Sequence, residues 1–216
     1  MSARSDSVTA SAAVSIPSSS TSSHYSRSAK STSSRRAWVE PAALPNYGDI
    51  SLITGNAPDY VKQLTCNTFY GYGVGEGDAF GSAVGHAVRF KEISIDRKLE
   101  KQGRFEATTV ADLLVTKHML NGAGMLHGGC IAYLIDNTPL VVLGLVSNVN
   151  GVGVTQGMNI MFHAPAPLGT RLRIVSTSVS LGGRVMTARC EIIDRDSGRS
   201  VASAFINKMQ PVASRL

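Results

Sequence analysis

An α+β domain, with an antiparallel sheet wrapped around one long buried helix, is what this 216-residue sequence predicts. Two observations carry that prediction. From Asn121 to Val146 a glycine-rich turn runs straight into a segment that reads as helix. At roughly 100° per residue, its apolar side chains (Ile131, Leu134, Ile135, Leu140 to Leu143 and Leu145) cover the whole circumference, and a helix apolar all round is a buried one. Around it lie runs with the two-residue alternation of half-buried strands. The charged and helix-breaking residues Asp136, Asn137 and Pro139 at the middle of the helical stretch argue against a membrane span.

In chain order, residues 1–37 are dominated by serine and show neither a helical nor a strand period, so they are expected to be a disordered tail. A mitochondrial transit peptide has a similar Ser/Arg-rich, acid-poor composition and is the alternative. Residues 38–82 read as an extension. Pro41, Pro45 and Pro58 punctuate a connector, and Asp59 to Tyr70 is a candidate helix with Tyr60, Leu64 and Cys66 or Asn67 near one face. Gly71 to Gly77 is a glycine cluster that lacks the preceding strand and following helix of a dinucleotide site, and it is expected to be a flexible loop.

The main domain is assigned to residues 83–210, followed by a tail at 211–216. Ala83–Ile95 is a predicted strand, and Arg104–Met119 supplies one or two more. After the helix come Val152–His163, Arg171–Leu181, Arg184–Ile193 and Ser200–Met209. Gly182-Gly183 is a two-residue hairpin signal, and Asp194 to Gly198 is a longer turn.

Charge and cysteine content exclude several classes. The formal charge is +6, but residues 1–37 hold five basic residues against Asp6, leaving 16 basic and 14 acidic groups elsewhere. The basic character belongs to the tail, and no nucleic-acid surface is implied. Cys66, Cys130 and Cys190 have no metal-like spacing and read as small buried side chains of a reducing compartment. The five histidines, including His86, His118 and His163, suggest no metal site.

The chemistry concentrates in the central stretch. Gly124, Gly128 and Gly129 surround His127 at the predicted helix start, where the first amides have no internal partner and favour negative charge. Such amides suit the oxyanion of an acyl-transfer intermediate; a tight turn with no further role is the competing reading. Asp136 shares a helical strip with Gly129, Ala132, Leu140 and Leu143, all small or apolar. An ionised carboxylate there must be paired, hydrogen-bonded or neutralised. Burial of that kind tends to raise a carboxyl pKa, which suits a general base or a nucleophile; fixing the helix in place is the structural alternative. Eight residues separate Gly128 from Asp136, about 12 Å along one helix. One carbonyl cannot lie about 3 Å from both. If both act on one substrate, Asp136 must come from a second copy, giving a symmetric homodimer with two shared sites.

Asn121, then His127-Gly128-Gly129, then Asp136 resembles the acyl-CoA thioesterases of the hotdog fold, in the branch of the phenylacetate-degradation-type and small human-type enzymes. Gly153 to Ile160, Pro165 to Gly169 and the closing strands with Thr187, Gly198 and Ala202 extend the likeness over roughly residues 106–210. The resemblance implies hydrolysis of a fatty or aromatic acyl-CoA, with no metal or bound cofactor. In it Asp136 is the general base or nucleophile and the Gly128 amide the oxyanion donor. Asn121 and His127 place the thioester carbonyl and order the turn, and Thr155 stands where a water-positioning serine is common. It implies a dimer or a dimer of dimers. The alternatives are a non-catalytic acyl-CoA-binding hotdog module and a hotdog hydratase or dehydratase. Pro139 predicts a kink just after Asp136. Gly157 stands where some relatives carry an acid, and part of the chain before residue 106 is expected to cap the acyl tunnel.

Gly129, Arg184 and Lys208 are the candidate substrate-binding residues, the last two for coenzyme phosphates, with Arg171 and Arg173 behind them. Ser214-Arg215-Leu216 matches a peroxisomal address, so a peroxisomal location is expected, with mitochondrial or cytoplasmic placement as the alternatives.

Overall fold

Buried side chains alternate along the later strands because one face of the sheet must cover a helix and the other faces outward. A computed structural model describes residues 41–138, 153–181 and 185–209. The serine-rich tail, Pro139 with the predicted helix as far as Val146, the Gly182-Gly183 pair and the end at Ser214-Arg215-Leu216 lie outside the described residues.

Six strands are described: β1 (Arg89–Lys98), β2 (Arg104–Leu114), β3 (Val154–Phe162), β4 (Arg171–Leu181), β5 (Val185–Asp194) and β6 (Ser200–Met209). They form one antiparallel sheet in the order β1-β2-β4-β5-β6-β3. The helices are α1 (Asp59–Phe69), the four-residue α2 (Ser82–Gly85) and α3 (Gly128–Asn137). This is the α+β arrangement that the hotdog resemblance implies, with α3 as the helix the sheet curves around. The described part of α3 is ten residues, about 15 Å long.

α3 divides its circumference three ways. Ile131, Leu134 and Ile135 face the sheet and are buried among Leu172 and Ile174 of β4, Ile192 of β5, and Ala202 and Ala204 of β6. Tyr133 and Asn137 face the N-terminal extension, while Asp136 looks toward β3. The last turn is latched down: the Thr109 hydroxyl on β2 donates to the Thr138 carbonyl at 3.0 Å, and the Thr138 hydroxyl donates to the Leu134 carbonyl at 2.8 Å.

The N-terminal half departs from the sequence reading in three places. Ala83–Ile95 is not one strand; Ser82–Gly85 is a helical turn, and β1 starts only at Arg89. Gly81 takes the left-handed φ of +75°, and a side chain on Gly85 would meet the Tyr133 hydroxyl at 2.7 Å, so backbone packs directly on α3. The glycine cluster is not simply a loop, because α1 continues into a π-helical turn over Tyr70–Val74 with Gly73 and Val74 buried. In α1 the buried face is Val61, Thr65, Cys66 and Phe69, while Tyr60 is exposed. Arg104–Met119 is one strand ending at Leu114, then a 3-10 turn over Lys117–Met119.

The extension is part of the same packing. Phe69, Val74 and Val84 belong to the cluster that contains Leu134, and a second cluster joins Ile53, Val61 and Cys66 to Ile93 and Ala107. Cys66 and Cys190 are buried and Cys130 partly so, and burial pushes all three thiols up to about 11.

Leu134 has no exposed surface. Leu134→Ala should therefore cost roughly 2–5 kcal/mol, read as a lowered urea midpoint at unchanged slope.

Candidate active site

The loop before α3 is held by its own side chains. The Asn121 side-chain oxygen accepts from the amides of Ala123 at 2.9 Å and Met125 at 3.1 Å, closing a turn in which Gly124 has a φ of +76°. The His127 amide donates to the Met119 carbonyl and the Leu126 amide to the Ala166 carbonyl, both at 2.8 Å. His127 is the N-cap of α3, with Nδ1 accepting from the Gly129 amide at 2.8 Å. That bond requires Nδ1 to carry no proton.

The amides at the helix start are thus assigned. Gly129 spends its N–H on His127, so as a substrate-binding amide it is already occupied. Cys130 and Ile131 both donate to the His127 carbonyl. Among the described residues, the Gly128 amide has no acceptor. A Cβ on Gly128 would stand 3.5 Å from the Phe162 ring of β3, an ordinary contact, so the glycine leaves open space there.

At the other end of α3 the Asp136 carboxylate is paired and hydrogen-bonded. The Thr155 hydroxyl of β3 donates to Oδ1 at 2.5 Å. The Lys208 ammonium of β6 lies 3.3 Å from Oδ1 and donates to the Asp136 carbonyl at 2.8 Å. The site is less enclosed than the apolar strip suggested, for the Asp136 side chain is 37% exposed. Lys208 is the more buried partner, at 12%. Burial holds its ammonium below the ordinary lysine value of 10.5, while the attraction and hydrogen bond of Asp136 act in the opposite direction.

A register shift brings these groups together. In the β3–β6 ladder Thr155 pairs with Lys208 and Gly157 with Asn207, leaving Gln156 as the extra residue of a β-bulge. Ile160 packs against the core and Phe162 lies at Gly128, so the residues of even number from 158 to 162 look toward α3. Strict alternation would turn Thr155 outward; the bulge turns it in.

Lys208, read from the sequence as a candidate for coenzyme phosphates, is engaged within the chain. It sits beside Asp136, where its charge has a partner. Arg184 lies outside the described residues. Arg171 pairs with Asp196 in the turn after β5. His163 is exposed, its Nε2 2.8 Å from the Ser203 hydroxyl, whereas His86 and His118 lie in helical turns rather than in the strands predicted over Ala83–Ile95 and Arg104–Met119. Among the described residues no group of three or more His, Cys, Asp or Glu is arranged to hold a metal ion, and no helix is long and apolar enough to cross a membrane. The bulge and the Lys208 contact were missed from sequence; the one available signal was a Thr-Gln-Gly run interrupting the alternation.

Residues 123–201, which span both ends of this site, match the model of the Thioesterase superfamily. The match takes in 79 of the 216 residues. Acyl-coenzyme A thioesterase 13 of Mus musculus is 28% identical over 118 residues, covering 53% of this chain and 84% of that protein. The protein of the same name from Homo sapiens is 28% identical over 93 residues, 43% of this chain and 66% of its own length, so the chain spans just under two thirds of it. The solved structure of zebra fish Thioesterase Superfamily Member 2 superposes with a TM-score of 0.54 at 20% identity, covering 66% of this chain and 93% of that one. That likeness shows the fold: the chain has the hotdog architecture, with α3 as its central helix.

Two outcomes are expected of the capping and ion-pair groups. His127→Ala should cost about 1 kcal/mol in urea unfolding through the lost cap. For Lys208 the folded state sheds its proton at lower pH than the unfolded chain, whose lysine holds it to about 10.5. Between those values the unfolded state binds more protons, so stability contributed at this position rises with pH. The stability difference between wild type and Lys208→Met should accordingly move in favour of wild type as pH rises through that window, and be flat below it.

Proposed function

We propose that this protein hydrolyses acyl-CoA thioesters to free acid and CoA, at a site shared between two copies of the chain. The observation that carries the proposal is the pairing, on one helix, of a Gly128 amide without an acceptor among the described residues with a carboxylate held by Thr155 and Lys208 about 12 Å away. The names of the mouse and human relatives as acyl-coenzyme A thioesterases support the substrate class.

The reaction runs as follows. Asp136 accepts a proton from a water molecule as the water oxygen bonds to the thioester carbon. Negative charge growing on the carbonyl oxygen is met by the Gly128 amide and the positive end of the helix. The C–S bond then breaks, and the CoA sulfur leaves with the proton carried by Asp136. In the nucleophilic variant the carboxylate itself bonds to the carbon, the C–S bond breaks and CoA leaves as its thiolate; water then cleaves the resulting anhydride, freeing the acid and Asp136 and supplying the proton that the thiolate takes. Asn121 and His127 contribute by holding the loop and the helix start in register.

The shared site gains support from the sheet edge. β3 is hydrogen-bonded to β6 on one side, and among the described residues no strand pairs with its other side. Its exposed side chains include Val154, Met158, Met161 and Phe162. An open apolar edge of this kind is a template for another strand. β3 runs beside α3 with Phe162 at the Gly128 end and Thr155 at the Asp136 end. A two-fold axis through an antiparallel β3–β3 pair would bring the Asp136 end of one copy to the Gly128 end of the other.

Release of CoA thiol from a panel of aliphatic and aromatic acyl-CoAs tests the activity. Asp136→Asn should lower kcat/KM by roughly 10²–10⁴-fold. Unchanged turnover in that variant would remove Asp136 from the chemistry, and acyl-CoA binding without turnover across the panel would leave a binding module. Mixing Asp136→Ala chains with Gly128→Val chains, each inactive alone, should restore about a quarter of wild-type activity, because half the random dimers are mixed and each has one intact site.

A further inference from the structure

The two oxygens of the Asp136 carboxylate are not equivalent. Thr155 donates to Oδ1 at 2.5 Å and the Lys208 ammonium stands 3.3 Å from the same atom. Among the described residues Oδ2 has no donor. The two holding groups are themselves cross-strand neighbours, Thr155 pairing with Lys208 across the β3–β6 ladder. Lys208 also donates to the Asp136 carbonyl at 2.8 Å, so one side chain fixes both the last turn of α3 and the carboxylate that turn carries. Such a double contact sets the rotation of the carboxylate plane as well as its position. No coenzyme phosphate is needed to explain why a lysine is there.

We propose that Lys208 is a positioning residue for thioester hydrolysis: together with Thr155 it holds Oδ1 of Asp136 and so commits Oδ2 to the reaction. The proposal rests on the reading of Asp136 as base or nucleophile. Oδ2 takes the proton of the attacking water, or bonds to the acyl carbon, while Oδ1 keeps its two donors throughout. Burial lowers the proton affinity of the Lys208 ammonium, and among the described residues Asp136 from α3 is the one charged group that meets it; Thr155 from β3 and Met186 from β5, its two cross-strand partners, are uncharged. The ammonium gives up its proton below 10.5, so the holding contact weakens on the alkaline side.

The test separates positioning from phosphate binding by the substrate used. Lys208→Met, Lys208→Gln and Lys208→Arg would be assayed in the full chain with the acyl-CoA that turns over fastest and with the same acyl group on pantetheine, which lacks the phosphates. Expected is a fall in kcat of about 100-fold for the Met and Gln variants with both thioesters, since a misplacement of about 1 Å costs that much, with KM little changed. Lys208→Arg, which stays charged, should recover most of the rate and move the alkaline fall of kcat to higher pH than in wild type. A loss confined to the CoA thioester, or a loss carried by KM, would overturn the proposal in favour of phosphate binding. Unchanged kcat in both neutral variants would overturn it outright. If Lys208→Met does not fold, Lys208→Gln and Lys208→Arg give the same comparison. Full activity in Asp136→Asn would instead fail the underlying reading, whatever the lysine variants do.

Discussion

Lys208 reaches across the end of α3 to both the carbonyl and the carboxylate of Asp136, and this contact joins the two halves of the architecture. The helix is held against the sheet elsewhere by apolar burial, which is non-directional and leaves rotation and sliding weakly fixed. Polar contacts at its C-terminal turn supply the direction: Lys208 from β6, Thr155 from β3 and Thr109 from β2, which reaches the Thr138 carbonyl. All three come from the sheet. The carboxylate therefore takes its place from the strands, although the helix carries it.

That division explains which features were legible in the sequence. The strands at Arg171–Leu181 and Ser200–Met209 could be read to the residue because alternating stretches, Leu172 and Ile174 in one and Ala202, Ala204 and Ile206 in the other, lie between clear turn signals. The start of α3 was legible for a different reason: His127 and the glycines after it combine a cap with close backbone packing, and both leave residue-type signatures. Asp136 stood out as a charge on an apolar segment. The means by which it is tolerated did not, because a contact between residues 136 and 208 depends on register across two strands and leaves no local pattern.

The N-terminal half was misread for a related reason. Ala83 to Ile95 has strand-like composition, yet its first part is wound into a turn because it must pass across Tyr133 at backbone distance. Tertiary packing overrode local preference there. The same packing turned Gly73 from an expected loop residue into a buried one beneath Phe69 and Asn137. Glycine clusters carry two opposite messages, freedom and close approach, and sequence alone does not distinguish them.

The close approach of that extension to α3 has a consequence for traffic through the site. Gly73, Gly81 and Gly85 leave no room for a side chain of their own against Phe69, Asn137 and Tyr133, and Ile131, Leu134 and Ile135 are pressed on the sheet. Asp136 meets β3 through Thr155, so in the proposed reaction a thioester would come from the β3 side, the side a second copy would occupy. Under the proposed shared site, entry and assembly would use one doorway, and the cleft between two chains would be the passage for the acyl chain.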